Sequence, residues 1–402
     1  MRRRHERDPH AQRGELSSAG SADLREVYVV RRLHRKAPMT AVPTLDIPLP
    51  PCAPPPIPPV GLPARRRRAA ALVPGARIGA WRIERELGRG GMATVYAVVH
   101  TRFGKRAALK LVHDGVLGPQ FTRETFLREA RIANLVDHPG VTEVFATGSY
   151  AGRPYLAMER LRGNSLAGLL DTGPMPRDAA LDVLLELCDV LGAAHAAGVV
   201  HGDLKLENVF VLDEPGAGGR RIKLLDWGIA RITGEDDPLR GIIAGTLSYV
   251  PPEQIRCDQI TPAADVYSLG VLAYRILLGE APFTAERDVD LLRKHLCGVP
   301  PAPRSRWAQI PAKLEATLLA MLAKQPSGRP ALRDVVDALR AARDKIRPRR
   351  RWFAARPAAP IDVIGRPMIG TPGGPSGPAQ QAAGAALGVA LVIASLLQLF
   401  NA

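Results

Sequence analysis

Two aspartates, each set in a short motif, constrain this chain more than any other feature. The first lies in His201-Gly202-Asp203-Leu204-Lys205-Leu206-Glu207-Asn208. After a turn rich in glycine (Gly216, Gly218, Gly219) comes the second, in Leu225-Asp226-Trp227-Gly228. Phosphoryl transfer asks little covalent work of a protein. It needs a carboxylate near the attacking hydroxyl, metal ions on the phosphates, and cations to offset developing charge. Asp203 suits the first need, Asn208 and Asp226 offer oxygen ligands for Mg²⁺, and Lys205 can reach the group in transfer. Chance occurrence of both motifs in this order and spacing is improbable.

A second pair of motifs lies upstream. Leu87-Gly88-Arg89-Gly90-Gly91-Met92-Ala93-Thr94-Val95-Tyr96 sets Gly88 and Gly90 in a turn between strand-like runs, where backbone N–H groups can approach a polyphosphate. Fifteen residues past Val95, Ala107-Ala108-Leu109-Lys110 places one lysine in an otherwise apolar strand. Such a lysine is costly to desolvate unless it meets an anion. The anions expected are nucleotide phosphates and a carboxylate of the following helix, for which Glu129 is best placed. Standing alone, these motifs would read as a hairpin turn, a snorkelling surface lysine and a solvated glutamate.

The texture around the motifs predicts a β-rich part followed by a helical one. Strand-like runs cover Trp81–Leu87, Ala93–Val99, Ala107–Val112, Val141–Gly148 and Pro154–Glu159, with a helix from Gln120 to Val136 between the third and fourth. After Gly163 the pattern turns helical: Leu181–Ala197 carries aliphatics at helical spacing with Gly198 as a stop, and Val266–Leu278 is apolar nearly all round. Trp81 and Trp307 are expected in the core.

The flanks differ from this middle. The chain has 402 residues and a net charge of +16, but residues 78–340 carry 32 Lys/Arg against 31 Asp/Glu. The basicity sits in the tails, which argues against a nucleic-acid-binding core. Residues 1–77 hold ten prolines between Pro43 and Pro63 and the run Arg65–Arg68, and are expected as an unstructured leader, with Met39 as an alternative start. The four cysteines form no CxxC pair, which excludes a disulfide scaffold or Cys-rich zinc module. No apolar run follows Arg2–Arg4, so the start is not a secretory signal. A basic Pro/Gly-rich linker, 347–381, leads to 382–400, an uncharged run. At 1.5 Å per residue that run spans roughly 28 Å, near the thickness of a bilayer core. It is expected to be a transmembrane tail anchor to the inner membrane, with Arg349–Arg351, Arg356 and Arg366 keeping the folded part in the cytoplasm. Gly384 and Gly388 have the spacing that permits helix pairing and so a homodimer.

From about Trp81 to Arg343 the chain resembles the eukaryotic-like protein kinase family, specifically the bacterial serine/threonine kinases, with the motifs in the family's order. The resemblance implies an α+β, bilobal fold over 78–346, with a small β-rich N-lobe (about 78–160) and a larger, mainly helical C-lobe (161–346). It implies ATP with Mg²⁺ (Mn²⁺ as a substitute), protein substrates and autophosphorylation. By it, Leu87, Gly88, Gly90, Gly91 and Val95 cover ATP, and Lys110 with Glu129 forms the ion pair of an assembled site. Glu159 to Leu161 form the hinge that meets adenine, behind Met158. Asp203 is the catalytic base with Lys205 as its cation, and Asn208 and Asp226 are the metal ligands. Gly245-Thr246 and Pro251-Pro252-Glu253 end the activation segment, Asp265 supports the catalytic loop, and Arg329 pairs with Glu253. Three positions depart from the pattern: Ala93 for a loop glycine, Trp227 for phenylalanine, and Gly202 for the arginine that meets a phosphorylated loop residue. The last implies basal activity independent of activation-loop phosphorylation.

Three other readings compete. His-Gly-Asp with a later asparagine also resembles small-molecule kinases of the aminoglycoside and choline type, although Lys205, Gly245-Thr246, Glu253 and Asp265 favour a protein substrate. A pseudokinase scaffold would keep ATP binding without transfer. A membrane-tethered docking protein would explain the tails but not the middle. His138 and His195 are expected to be structural, packing or bonding to backbone, rather than ligands or bases, and His201 to orient the loop of Asp203 rather than transfer protons.

Overall fold

Period-two alternation from Trp81 onward builds an antiparallel sheet whose two faces serve different ends. The structure, a computed structural model, describes residues 72–114, 116, 122–235 and 245–346. The strands β1 (Arg77–Ile78), β2 (Trp81–Arg89), β3 (Ala93–His100), β4 (Arg106–Val112), β5 (Val144–Tyr150) and β6 (Arg153–Met158) lie in the order β1-β2-β3-β4-β6-β5. On one face Ile83, Tyr96, Val98, Leu109, Leu111, Tyr155 and Ala157 form a closed core. On the other, Leu87, Val95, Ala97, Ala108 and Met158 cluster. Register sets Val95 opposite Lys110 and Ala108 opposite Met158, so Lys110 shares the parity of this second face.

The helix α1 (Arg123–Leu135) joins the lobes. Phe126 and Ala130 pack on Val112 and Leu156 of the sheet, while Ile132 and Ala133 belong to the core of the other lobe. It starts after the predicted Gln120, which lies outside the described residues. The strand predicted from Val141 begins instead at Val144. Val141 forms a parallel bridge to Leu224, and Leu224 N–H donates to Gly140 O at 2.7 Å, so tertiary pairing takes those residues from the sheet.

The larger lobe follows: β7 (Gly163–Ser165), α2 (Leu166–Asp171), α3 (Arg177–Ala196), β8 (Val199–Val200), β9 (Val209–Leu212), β10 (Ile222–Leu224), β11 (Arg231–Ile232), α4 (Pro252–Ile255), α5 (Pro262–Leu278), α6 (Asp288–Cys297), α7 (Ala312–Met321) and α8 (Leu332–Lys345). The strands make only small sheets, β10-β9-β7 and β11-β8, which carry the loops of the cleft. As predicted, α5 is buried along nearly its whole length. At Gly270 an added Cβ would stand 2.9 Å from Met321 Cβ, which sets how closely α5 and α7 approach. Gly279, at φ +88°, ends α5 in the left-handed conformation that glycine adopts without strain. Trp81 and Trp307 are both core residues. The fold is thus bilobal and α+β.

Among the described residues no helix is long and apolar enough to cross a membrane. The leader up to residue 71, the linker and the 382–400 run lie outside the described residues.

Candidate active site

Strand parity brings Lys110 out of the sheet toward the larger lobe, where two carboxylates meet it. Its Nζ donates to Glu129 Oε1 and Oε2 at 3.0 and 2.9 Å and to Asp226 Oδ1 at 3.0 Å. Burial would lower the Lys110 pKa, but the Asp226 and Glu129 charges outweigh it and leave it raised. The Lys110 charge holds Asp226 down to about 2 against the opposing effect of burial. At neutral pH the cleft therefore presents an ammonium and a carboxylate. Burial raises Glu129, the least solvated of the three. Asp226 sits at φ +60°, a conformation that aspartate tolerates better than most residues and that is enriched at functional sites. Trp227 beside it is buried, its indole N–H donating to Leu224 O at 3.3 Å and its ring edge-on to His201.

The loop of Asp203 hangs on one buried carboxylate. Asp265, on the first turn of α5, accepts from the N–H groups of His201 and Gly202, each at 2.9 Å, and contacts His195 Nε2 at 2.8 Å. Burial alone would raise the Asp265 pKa; the His195 bond and charge prevail and leave it lowered. His195 thus has the structural role expected of it, on a buried carboxylate rather than on backbone, because α3 and α5 pack side by side. His201 does orient the loop: Nδ1 accepts from Asp203 N–H at 3.2 Å, which leaves Nε2–H to donate to Leu225 O at 3.1 Å.

Asp203 is held at both oxygens. Thr246 N–H donates to Oδ1 at 3.0 Å and Lys205 Nζ to Oδ2 at 2.5 Å. Asn208 spends its amide N–H on Asp203, at 2.9 Å to the carbonyl and 3.3 Å to Oδ2, so its side-chain oxygen remains the available ligand atom. Leu225 N–H donates to Asn208 O at 2.8 Å and ties the two aspartate motifs together. At Gly245, with φ +103°, a Cβ would stand 3.0 Å from Asp203 Oδ1, so glycine lets the Thr246 backbone reach the carboxylate. Gly202 has φ +76°, and its Cβ would stand 3.0 Å from Arg231 Nη1; an arginine there would need a different backbone.

The glycine-rich turn closes with Gly90 N–H on Ala93 O at 2.9 Å, and Gly88 lies inside β2 opposite Val95 rather than in the turn itself. His113, which the motifs do not include, braces this turn: its N–H donates to Met92 O, and its ring reaches Gly91 O at 3.2 Å and Thr94 Oγ1 at 2.8 Å. Leu87 and Val95 share their cluster with Met158, and Leu161 packs on Phe210 and Leu225. Between these clusters runs the segment 159–161, the expected hinge. The Glu159 carboxylate turns away from it, pairing with Lys223 and accepting Glu143 N–H at 3.0 Å, so only its backbone can serve a ligand.

The donor set suits a hard divalent cation. One carboxylate and one amide oxygen leave room for phosphate and water ligands, as Mg²⁺ prefers, and among the described residues no cluster of three or more His, Cys, Asp or Glu competes for the metal.

A protein kinase domain family matches residues 81–339. Among curated proteins, the serine/threonine-protein kinase Pkn1 of Myxococcus xanthus is 39% identical over 257 residues, 63% of this chain and 37% of that protein. The kinase pkn3 of the same organism is 33% identical over 300 residues, 72% of this chain and 54% of its own. PknJ of Mycobacterium tuberculosis is 34% identical over 264 residues, 65% and 45% respectively. The chain thus spans about a third to a half of the length of these relatives.

Proposed function

The chain belongs to the protein kinase family, and from that premise we propose that it is a bacterial signalling kinase that phosphorylates Ser/Thr hydroxyls of proteins, its own included. The family uses ATP with a divalent metal; for this chain the pair is Mg²⁺ and ATP, with Mn²⁺ as a substitute. The observation that carries the reading is the Lys110 contact to both Glu129 and Asp226, which joins the sheet, α1 and the larger lobe at one point.

In this reading Asp203 accepts the proton of the attacking hydroxyl as its oxygen bonds to the γ-phosphorus and the bond to the leaving ADP oxygen breaks. Lys205 beside it offsets charge on the transferring group, and Lys110 binds the other phosphates. Asn208 and Asp226 would hold the metal, which neutralises phosphate charge when bound. Leu87, Val95 and Ala108 on one side and Leu161 and Phe210 on the other would hold the adenine, with Met158 behind it and the backbone of Glu159 and Leu161 to bond it. Gly88, Gly90 and Gly91 close over the phosphates. The catalytic domain takes 78–346, divided near residue 160. Lys205 and Thr246 favour Ser/Thr over Tyr.

The full chain, incubated with labelled ATP, Mg²⁺, a generic protein substrate and a panel of aminoglycosides, is expected to yield phosphoserine and phosphothreonine. The label should vanish in Asp226→Ala. Label on an aminoglycoside would transfer the assignment to small-molecule kinases, and ATP binding without transfer would leave a scaffold.

The same proposal places the kinase domain in the cytoplasm and tethers it by 382–400, with Gly384 and Gly388 allowing two chains to pair. Wild type should then sediment with membranes through a carbonate wash, and a Leu391→Lys/Val392→Lys chain should stay in the supernatant. Equal partitioning of the two would remove the tether.

A further inference from the structure

The ion pair of the cleft depends on where α1 stands, and α1 is held from outside the cleft by a residue that belongs to none of the motifs. Arg128 and Arg131 flank Glu129 on this helix, and both reach Glu235, three residues past β11. Arg131 Nη2 donates to Glu235 Oε1 at 2.8 Å, and Arg128 Nη2 stands 3.4 Å from Oε2. Arg128 is the more enclosed of the two, with its side chain 19% exposed against 67% for Arg131. Glu235 is set in a tight turn, its own N–H donating to Ile232 O at 3.2 Å.

The sequence of this segment supplies a second observation. From Gly234 through Gly245 there is no Ser, Thr or Tyr, and between Trp227 and Gly245 the only hydroxyl is Thr233. The segment thus offers almost nothing to phosphorylate, yet it sets an acid on two arginines of the helix that carries Glu129. Position 202, next to Asp203, is a glycine and supplies no guanidinium for a loop phosphate.

We propose that Glu235 is a positioning residue whose permanent carboxylate holds α1, and with it Glu129, against Lys110, in the place of a phosphorylated side chain. The inference rests on the kinase reading above and adds its regulation: the site is assembled as translated, with no activating phosphorylation in the segment. Solvent-facing ion pairs of this kind are weak singly, so their effect falls on the balance between two positions of α1 rather than on the whole fold.

The test uses the full chain as wild type, Glu235→Gln, Glu235→Asp, Arg131→Gln, the Glu235→Gln/Arg131→Gln double variant and Thr233→Ala. Kinetics with varied ATP, before and after phosphatase treatment, are read beside amide hydrogen exchange of residues 123–135. Glu235→Gln should lower kcat/KM for ATP about tenfold and speed exchange in α1, with the unfolding midpoint nearly unchanged. Glu235→Asp should recover most of the loss. Arg131→Gln should cost less, and nothing further once Glu235 is already Gln. Thr233→Ala and phosphatase should leave wild-type activity as it was. The proposal is overturned by wild-type kinetics and exchange in Glu235→Gln, by additive losses in the double variant, or by activity that falls with phosphatase or Thr233→Ala. If the wild type transfers no phosphate, the kinase reading fails, and the exchange of α1 still decides the clamp: faster in Glu235→Gln it stands, unchanged it falls.

Discussion

Replacing Asp203 with asparagine is expected to lower kcat for phosphoryl transfer by about 10²- to 10⁴-fold, the range that one positioned general base contributes. Asparagine keeps the shape and can still accept the Thr246 N–H bond that now falls on Oδ1. What it lacks is a basic oxygen for the proton and a charge for Lys205, whose ammonium lies 2.5 Å from Oδ2. ATP affinity should hold, because in the proposed reading the phosphates meet Lys110, which Glu129 and Asp226 hold, rather than Asp203. The measurement is kcat, KM for ATP and the thermal midpoint of the same preparation. A variant that retains more than about a tenth of wild-type kcat would take the base role from Asp203. A collapse of ATP affinity instead would make Asp203 a support of the nucleotide site.

The largest effect on stability is expected at Glu253. Its side chain is 1% exposed and that of Arg329 is 0% exposed, and two parallel bonds of 2.6 and 2.7 Å join them. The rest of the guanidinium is satisfied by Ala263 O and Ala323 O, and it lies over the Tyr267 ring. Glu253→Ala leaves that cation buried without its anion, which costs about 3–5 kcal/mol. The paired variant Glu253→Leu/Arg329→Met removes both charges and should recover most of the loss. Urea unfolding midpoints of wild type, both single variants and the pair give the coupling. A cost below about 1 kcal/mol in Glu253→Ala would show that the pair is solvated in practice and contributes little to holding α4 on the lobe.

Much of the cleft was legible as spacing. A lone lysine in an apolar strand needs an anion, and Glu129 on the following helix is where the sequence puts it. The face Lys110 takes is set by the register, which places it opposite Val95 and in parity with Ala108. The buried helix at Val266–Leu278 was legible through its apolar run, and Asp265 at its start through the family resemblance alone. Other features left no local trace. Nothing near Glu159 said that its carboxylate would turn to Lys223, and nothing near His113 said that it would brace the glycine-rich turn. A glycine signal was available at Gly245, where the left-handed backbone brings Thr246 onto Asp203, but Thr246 and Asp203 are 43 positions apart.

The sequence by itself determined the order of the main strands and helices, the lysine set in an apolar strand, and Glu129 of the following helix as the acid that meets it, because period and composition act between neighbours in the chain. Only the tertiary structure decided which distant charges share a point. Lys110 and Asp226 are 116 residues apart, and Arg131 and Glu235 are 104 apart. Their meeting depends on how α1 packs between the sheet and the larger lobe, and that packing is set by buried apolar side chains with no charge of their own.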